Sequence, residues 1–137
     1  MRTPSQTVGP YYAIGLCRRA ESELDPDGVE LRGRLLDGRG DGIEDGLVEL
    51  WDPAGRRWGR SGTGADGGFA FRIPRHVPHL EVTVFARGLL RHQLTRVYLR
   101  SDGAPAGHEM LVAEHEGDGL RFDIRMQGEN ATVFFAH

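Results

Sequence analysis

Alternation of apolar and polar residues in one short stretch is the feature that most limits how this chain can fold. Leu80, Val82 and Val84 recur at a spacing of two, which places apolar side chains on one face of a β-strand. Arg87 follows where that strand is predicted to end, next to a glycine. The opposite face carries a mixed set: His79, Glu81, Thr83 and Phe85. The stretch therefore predicts a strand that is buried on one side and ends in a cation suited to a small anion.

Similar short stretches recur along the chain, separated by turns that the 20 glycines of its 137 residues suit. Residues 15–24 are expected to form one or two helical turns, and residues 52–67 a loop. Further strands are predicted at residues 29–35, 47–51, 69–73, 94–99, 110–113, 120–126 and 132–135. Many short strands with almost no helix predict an all-β fold, a single-domain β-sandwich at residues 29–137. An N-terminal arm and connector at residues 1–28 precede it.

The arm is predicted to be extended. Pro4 and Pro10 oppose a helix, and Gly9 before Pro10 favours a bend. Tyr11 and Tyr12, with little charge around them, suggest that the arm packs on a surface that could belong to another chain.

Composition excludes several classes of function. The 17 basic residues are all arginine and give a net charge of -3, and no basic and aromatic pattern indicates nucleic-acid binding. No apolar run approaches the roughly 20 residues of a membrane span, and no leader is visible. Cys17 is the only cysteine, so no internal disulfide can form and a reducing cytoplasm is the expected location.

His79 and Glu81 are the most suggestive candidates for a metal site. Two residues apart on a strand, they leave the same face, and a distant histidine could complete a two-histidine, one-carboxylate ferrous site. That third ligand could be one of three: His92, His108 or His115. The competing interpretation, which we favour, is a polar strand face with a satisfied histidine.

Arginines Arg87, Arg91 and Arg96 are candidates for binding a carboxylate, because a guanidinium can donate two parallel hydrogen bonds to it. A surface ion pair is the alternative for each of them. Cys17 is a poor candidate nucleophile, since no histidine lies near it in sequence. The sequence has no phosphate loop, zinc-like spacing or nucleophile elbow.

Three separated stretches resemble one family: TPSQTVGPYYAIGL at residues 3–16, PHLEVTVFARGLLRHQLTRVYL at residues 78–99, and RFDIRMQGENATVFFA at residues 121–136. A weaker match, GRLLDGRGDGIEDGLVELW, covers residues 33–51. Together they resemble the α subunits of protocatechuate 3,4-dioxygenase, among the intradiol ring-cleaving dioxygenases, whose fold is a transthyretin-like sandwich. The resemblance implies an α/β complex that opens 3,4-dihydroxybenzoate (protocatechuate) with O₂ to 3-carboxy-cis,cis-muconate.

In that family the β subunit holds a ferric iron, Fe(3+), through two tyrosines and two histidines. Glu81 stands where the second histidine of a His-x-His pair would lie, and neither tyrosine has a counterpart, so the resemblance implies that this chain holds no iron. It implies substrate-binding roles for Thr7, Gly9, Pro10 and Arg87, with Arg87 facing the substrate carboxylate in the pocket of the iron-bearing β subunit. Shortened loops near residues 24–29, 51–59 and 69–78 leave the accepted catechol open.

Two other interpretations remain open at this point. One is a metal enzyme that acts alone through His79, Glu81 and a further histidine. The other is a non-catalytic binding or assembly module derived from the dioxygenases.

Overall fold

The computed structural model describes residues 19–86, 92–127 and 131–135, and these ranges contain nine strands and three short 3-10 helices. The helices span Arg19–Ser22, Ser101–Gly103 and Glu109–Leu111. No helix in the described ranges has the length and apolar character needed to cross a membrane. The strands are β1 (Val29–Leu36), β2 (Leu47–Asp52), β3 (Arg57–Gly62), β4 (Gly68–Ile73), β5 (His79–Phe85), β6 (Gln93–Tyr98), β7 (Glu114–Glu116), β8 (Gly119–Arg121) and β9 (Ile124–Arg125).

These strands form the two sheets of a β-sandwich. The first sheet has the order β4-β1-β8-β7, with β9 also beside β1, and the second has the order β3-β2-β5-β6. Neighbours in the second sheet are all antiparallel, whereas β1 pairs in parallel with β8 and β9. In the second sheet, Glu81 lies opposite Arg96 and His79 lies opposite Tyr98. The all-β sandwich predicted from the sequence is confirmed.

The apolar core fills the space between the two sheets. Burial alternates along β5, so that Leu80, Val82 and Val84 face the core while the residues between them are partly exposed. Burying a side chain of this size contributes about 1.5–3 kcal/mol relative to leaving it exposed. Both sheets supply fully buried aliphatic side chains: Leu31, Leu35, Ile73 and Ile124 from the first, and Val48, Leu50, Leu80, Val82, Val84 and Val97 from the second.

The segment before β1 holds the two sheets together at one edge. The buried Leu24 donates its backbone amide to the carbonyl of Arg72 on β4, at 2.9 Å. Asp25 pairs with Arg57 on β3, also at 2.9 Å. Because β3 and β4 are end strands of different sheets, these bonds fix one sheet edge against the other.

One predicted loop contains a strand. Residues 52–67 were expected to form a loop, but β3 (Arg57–Gly62) lies within them and pairs with β2 through a hairpin. The inward positions of β3 are Gly59 and Ser61, so no apolar alternation marks this strand in the sequence. A Cβ at Gly59 would lie 2.5 Å from Leu24 Cδ1 and 2.9 Å from the backbone carbonyl oxygen of Glu21, so this position favours glycine.

The C-terminal predictions are right about burial but wrong about regular pairing. Leu120, Phe122 and Ile124 are buried as predicted, yet the strand expected at residues 120–126 is two short strands, β8 and β9. Between them Asp123 accepts the amide of Arg34 with its side chain, at 2.9 Å. The strand expected at residues 110–113 begins as the 3-10 helix Glu109–Leu111, and within residues 131–135 only an isolated bridge of Phe135 remains of the strand expected at residues 132–135. No strand was predicted from the sequence at residues 114–116, where β7 lies.

Candidate functional site

Five side chains form a connected polar cluster on the outer face of the second sheet. The polar cluster consists of His79 and Glu81 on β5, Arg96 and Tyr98 on β6, and His108 at the start of the helix Glu109–Leu111. Strand register brings the first four together, because Glu81 is opposite Arg96 and His79 is opposite Tyr98. This face is the polar side of the strand that the alternation in the sequence predicted.

Glu81 is the acceptor at the centre of the cluster. Its Oε2 atom lies 3.2 Å from His79 Nε2 and 3.1 Å from Arg96 Nε. A carboxylate has no proton to donate, so both nitrogens donate, which assigns the hydrogen of His79 to Nε2. Glu81 and Arg96 keep 38 and 37% of their side-chain surface exposed, so solvent screens part of this attraction.

Arg96 links the carboxylate to a buried tyrosine. A hydrogen bond with the Tyr98 hydroxyl, and then the charge of Glu81, raise the pKa of Arg96 above its ordinary value, although burial partly opposes this. The Tyr98 hydroxyl in turn lies 3.3 Å from His108 Nδ1. The Tyr98 side chain therefore joins the cluster to the residue that precedes the helix Glu109–Leu111.

Phe135 covers one side of the cluster. Its ring centroid lies 5.6 Å from the Arg96 guanidinium carbon and 5.4 Å from the His108 ring. The amide of Phe135 donates to the carbonyl of Leu94 at 2.7 Å, which anchors this residue beside β6. A cation over an aromatic face gains electrostatic attraction, so Phe135 helps to hold the guanidinium in place.

The cluster gives little support to the metal-enzyme interpretation. His79 and Glu81 do leave the same face, but the carboxylate is already occupied by a guanidinium. His108 bonds Tyr98, and the His92 ring packs beside Phe85 with ring centroids 5.4 Å apart. Within residues 19–86, 92–127 and 131–135, no group of three metal-donor side chains exists.

The substrate-binding residues predicted from the resemblance cannot be placed on this structure. Thr7, Gly9, Pro10 and Arg87 all lie outside the described residues, as do Cys17 and Arg91. β5 ends at Phe85, short of Arg87, where the strand was predicted to end, and Arg87 itself lies outside the described residues.

The sequence interpretation missed Tyr98 and assigned other roles to its neighbours. Arg96 was a candidate for carboxylate binding and His108 for metal binding, whereas the structure places Arg96 against Glu81 and His108 against the Tyr98 hydroxyl. The available signal was the spacing of two between Arg96 and Tyr98 on one strand. That spacing places both on the face opposite Thr95 and Val97, whose burial the sequence does indicate.

Large aromatic side chains lie on the same outer face. Trp51, Trp58 and Phe85 are 39, 44 and 36% exposed. Trp51 lies opposite Trp58 on one side and opposite Glu81 on the other, which joins this aromatic area to the polar cluster. Arg60 covers part of Trp58, with its guanidinium carbon 5.3 Å from the ring. Exposed tryptophans are frequent where proteins contact other proteins.

A groove on the first sheet is a weaker candidate. It is open and polar, and its walls include Arg32, Arg72 and Glu116. Arg32 is paired with Glu30 at 2.8 Å, and Arg72 donates to the carbonyl of Gly28 at 2.7 Å. Both guanidinium groups are already hydrogen-bonded within the protein. The groove is therefore expected to bind an anion less well than its arginine content suggests.

No family model matches the chain. Two curated relatives align over nearly its whole length. The protocatechuate 3,4-dioxygenase alpha chain of Burkholderia cepacia is 33% identical, and the alignment includes 98% of this chain and 96% of the relative. The protein of the same name from Pseudomonas putida is 30% identical, over 97% of this chain and 95% of the relative.

Solved structures with a similar fold include two dioxygenases. The dioxygenase domain of a dioxygenase carbohydrate-binding protein fusion from Streptomyces sp. SirexAA-E is 23% identical, with a TM-score of 0.62 over 93% of this chain and 99% of that chain. Hydroxyquinol 1,2-dioxygenase from Pseudomonas putida DLL-E4 is 20% identical, with a TM-score of 0.58 over 93% of this chain and 67% of that chain. At these identities the likeness shows the fold alone.

Proposed function

Since the chain belongs to the family of protocatechuate 3,4-dioxygenase α chains, we propose that it is the α subunit of such an enzyme. The near full-length match to the Burkholderia cepacia chain carries this proposal. The reaction is the opening of 3,4-dihydroxybenzoate between its two hydroxyls, with both atoms of O₂ entering 3-carboxy-cis,cis-muconate. The lone cysteine, Cys17, fits our proposal that the enzyme works in the cytoplasm.

We assign the iron of this complex to a β subunit and not to this chain. The metal would bind the catechol there and make it reactive towards O₂. The residues described here do not fit an iron site, because Glu81 is engaged by Arg96 and no third donor converges on it. The proposed task of this chain is therefore to complete the substrate pocket of its partner.

Within that pocket, Thr7, Gly9 and Pro10 are proposed to form part of the wall and Arg87 to meet the substrate carboxylate. A guanidinium beside a carboxylate donates charge-assisted hydrogen bonds, which are the strong class in proteins. Its effect is expected in substrate binding more than in the chemical step, because the carboxylate is remote from the ring bond that breaks.

Co-expression with a β chain and measurement of O₂ uptake test the proposal. The complex should consume O₂ with protocatechuate, whereas this chain alone should not. Ring cleavage by this chain without a partner would contradict the proposal.

The Arg87→Ala variant of the complex tests the role of the arginine. We expect KM for protocatechuate to rise by about 10- to 100-fold with little change in kcat, the range for loss of a charge-assisted hydrogen bond. Catechol, which lacks the carboxylate, is the matched substrate, and its kinetics should change little. Arg100→Ala is the control variant, because that arginine is exposed and its surface pair with Asp102 is long, at 3.8 Å. An unchanged KM for protocatechuate in Arg87→Ala would disprove the assignment.

A further inference from the structure

The two tryptophans of the chain lie side by side on the outer face of the second sheet. Trp51 on β2 is directly opposite Trp58 on β3, and the side chains are 39 and 44% exposed. We call these two residues the tryptophan pair. Adjoining apolar area of this kind on a protein surface marks a place where another segment or another chain makes contact.

The first described residues of the chain lie at the same edge of this sheet. The helix Arg19–Ser22 is next to β3, where Glu21 Oε2 accepts a hydrogen bond from Arg60 Nη2 at 3.1 Å. Arg60 in turn holds its guanidinium carbon 5.3 Å from the Trp58 ring. Residues 1–18, which lie outside the described ranges, therefore join the sandwich close to the tryptophan pair.

A polar atom at this edge lacks a partner. Arg60 Nε is buried and finds no acceptor within residues 19–86, 92–127 and 131–135. Leaving a buried donor without an acceptor is unfavourable, because the group has lost water and gained nothing in return. A backbone carbonyl of a segment that crosses β3 beside Trp58 would supply the acceptor.

The segment before the helix has the sequence pattern that such a position requires. Tyr12, Ile14 and Leu16 recur at a spacing of two, so an extended backbone places all three on one side. An extended chain from the first to the last of them spans roughly 13 Å, and four strands lie roughly 14 Å across. Residues 12–16 are therefore long enough to cross the second sheet.

We propose that residues 12–16 of this chain lie across the outer face of its own second sheet and cover the tryptophan pair. A carbonyl of the segment accepts the hydrogen bond from Arg60 Nε. The chain's own segment is the occupant because only residues 17 and 18 separate it from Arg19, which keeps it at the β3 edge. The inference does not depend on the proposed function, since residues 7–10 precede the segment and stay available to a partner.

Tryptophan fluorescence tests this cover directly, because the chain has no tryptophan outside the pair. In the full-length chain, Tyr12→Ser/Ile14→Ser should raise the acrylamide quenching constant about twofold, as each indole regains accessible area. Tyr11→Ser/Ala13→Ser is the matched control, since an extended backbone places those two positions on the opposite side. It should be quenched like the wild type, and thermal unfolding checks that both variants are folded.

A second measurement uses the wild type and needs no variant. Hydroxyl radicals oxidise exposed tryptophan and methionine side chains at similar rates. Met110 is therefore an internal reference, since it is 48% exposed and lies on the helix Glu109–Leu111, away from the tryptophan pair. Under the proposal, Trp51 and Trp58 are oxidised severalfold less than Met110.

Three results would overturn the proposal. The first is equal quenching of the wild type and both double variants, with the tryptophans oxidised as fast as Met110. The second is protection that grows with protein concentration, which would make a second copy of the chain the occupant. The third is protection that appears only when a β chain is added, which would assign the face to the partner. Protection in the isolated chain at every concentration, lost in Tyr12→Ser/Ile14→Ser alone, supports the cover by the chain's own segment.

Discussion

The two outer faces of the sandwich use similar charged residues in different ways. On the first sheet, Arg32 pairs with Glu30 two residues away on the same strand, and the two side chains are 56 and 44% exposed. On the second sheet, Arg96 pairs with Glu81 across two strands, and Tyr98 beside them is only 2% exposed. One arrangement is local and solvated, whereas the other connects separate elements.

This difference shows that a raised arginine pKa does not by itself identify a functional cluster. The pKa of Arg32 is also raised, first by its hydrogen bond with Glu30 and then by the charge of that residue. What distinguishes Arg96 is that it pairs across two strands and packs against Phe135, beside a tyrosine whose hydroxyl bonds His108. We therefore expect substitutions on the second face to be felt beyond the residue replaced, and those on the first face to remain local.

The largest effect is expected in the backbone of the first sheet rather than in its charges. Gly33 lies on β1, and a Cβ there would collide with the carbonyl of Phe122 and lie 2.8 Å from the Phe69 ring. Gly33→Ala should lower the free energy of unfolding by about 3 kcal/mol, because strands on both sides of β1 must shift. Urea unfolding of the purified chain measures this.

Gly64→Ala is the matched control for Gly33→Ala. A Cβ at Gly64 would meet only Asp66 Oδ1, at an ordinary distance of 3.8 Å, so stability should change little. Equal losses in both variants would show that the loss comes from removing any glycine, and not from the close approach at β1.

A smaller effect, confined to the second face, is expected for Tyr98→Phe. The substitution keeps the buried ring but removes the hydroxyl that bonds His108 and helps to raise the pKa of Arg96. Stability should fall by about 1–2 kcal/mol, since polar groups then lose their partner in a half-buried place. Glu30→Gln, which weakens the exposed pair on the first face, should cost clearly less stability than Tyr98→Phe. Thermal unfolding of both variants compares the faces, and equal losses would contradict the distinction drawn between them.

The same contrast explains what the sequence could predict. Alternation identified β1, β2, β4, β5 and β6, because each of these strands buries one apolar face, and a sheet buried on one side imposes a period of two. Alternation failed at β3, whose inward positions are Gly59 and Ser61. There the neighbouring Leu24 supplies the apolar group, and a contact between distant residues leaves no local pattern.

The candidate site was predictable in its residues but not in its connections. His79 and Glu81 were placed on one face by spacing alone, and the structure confirms this. The pairing of Glu81 with Arg96 depends on the register of β5 against β6, which a sequence pattern does not specify. The position of His108 beside Tyr98 depends on the path of the irregular segment between them, which the sequence pattern did not predict.

The smallest effect is expected where the edges of the two sheets meet, at Asp25. The amide of Asp27 and then the Arg57 guanidinium lower the pKa of Asp25, since both stabilise its ionised form. A carboxyl whose pKa is lower in the folded than in the unfolded state adds stability above its unfolded pKa and loses it as pH falls through the folded one. The Asp25→Asn variant tests this contribution. It keeps an acceptor for the amide of Asp27 but not the charge facing Arg57. Its Tm should therefore lie slightly below that of the wild type at pH 7, and the difference in Tm should disappear at acidic pH. Asp102→Asn, in an exposed pair 3.8 Å from Arg100, should show no such closing gap. A Tm difference for Asp25→Asn that stays constant down to strongly acidic pH would mean that the charge of Asp25 does not hold the two sheet edges together.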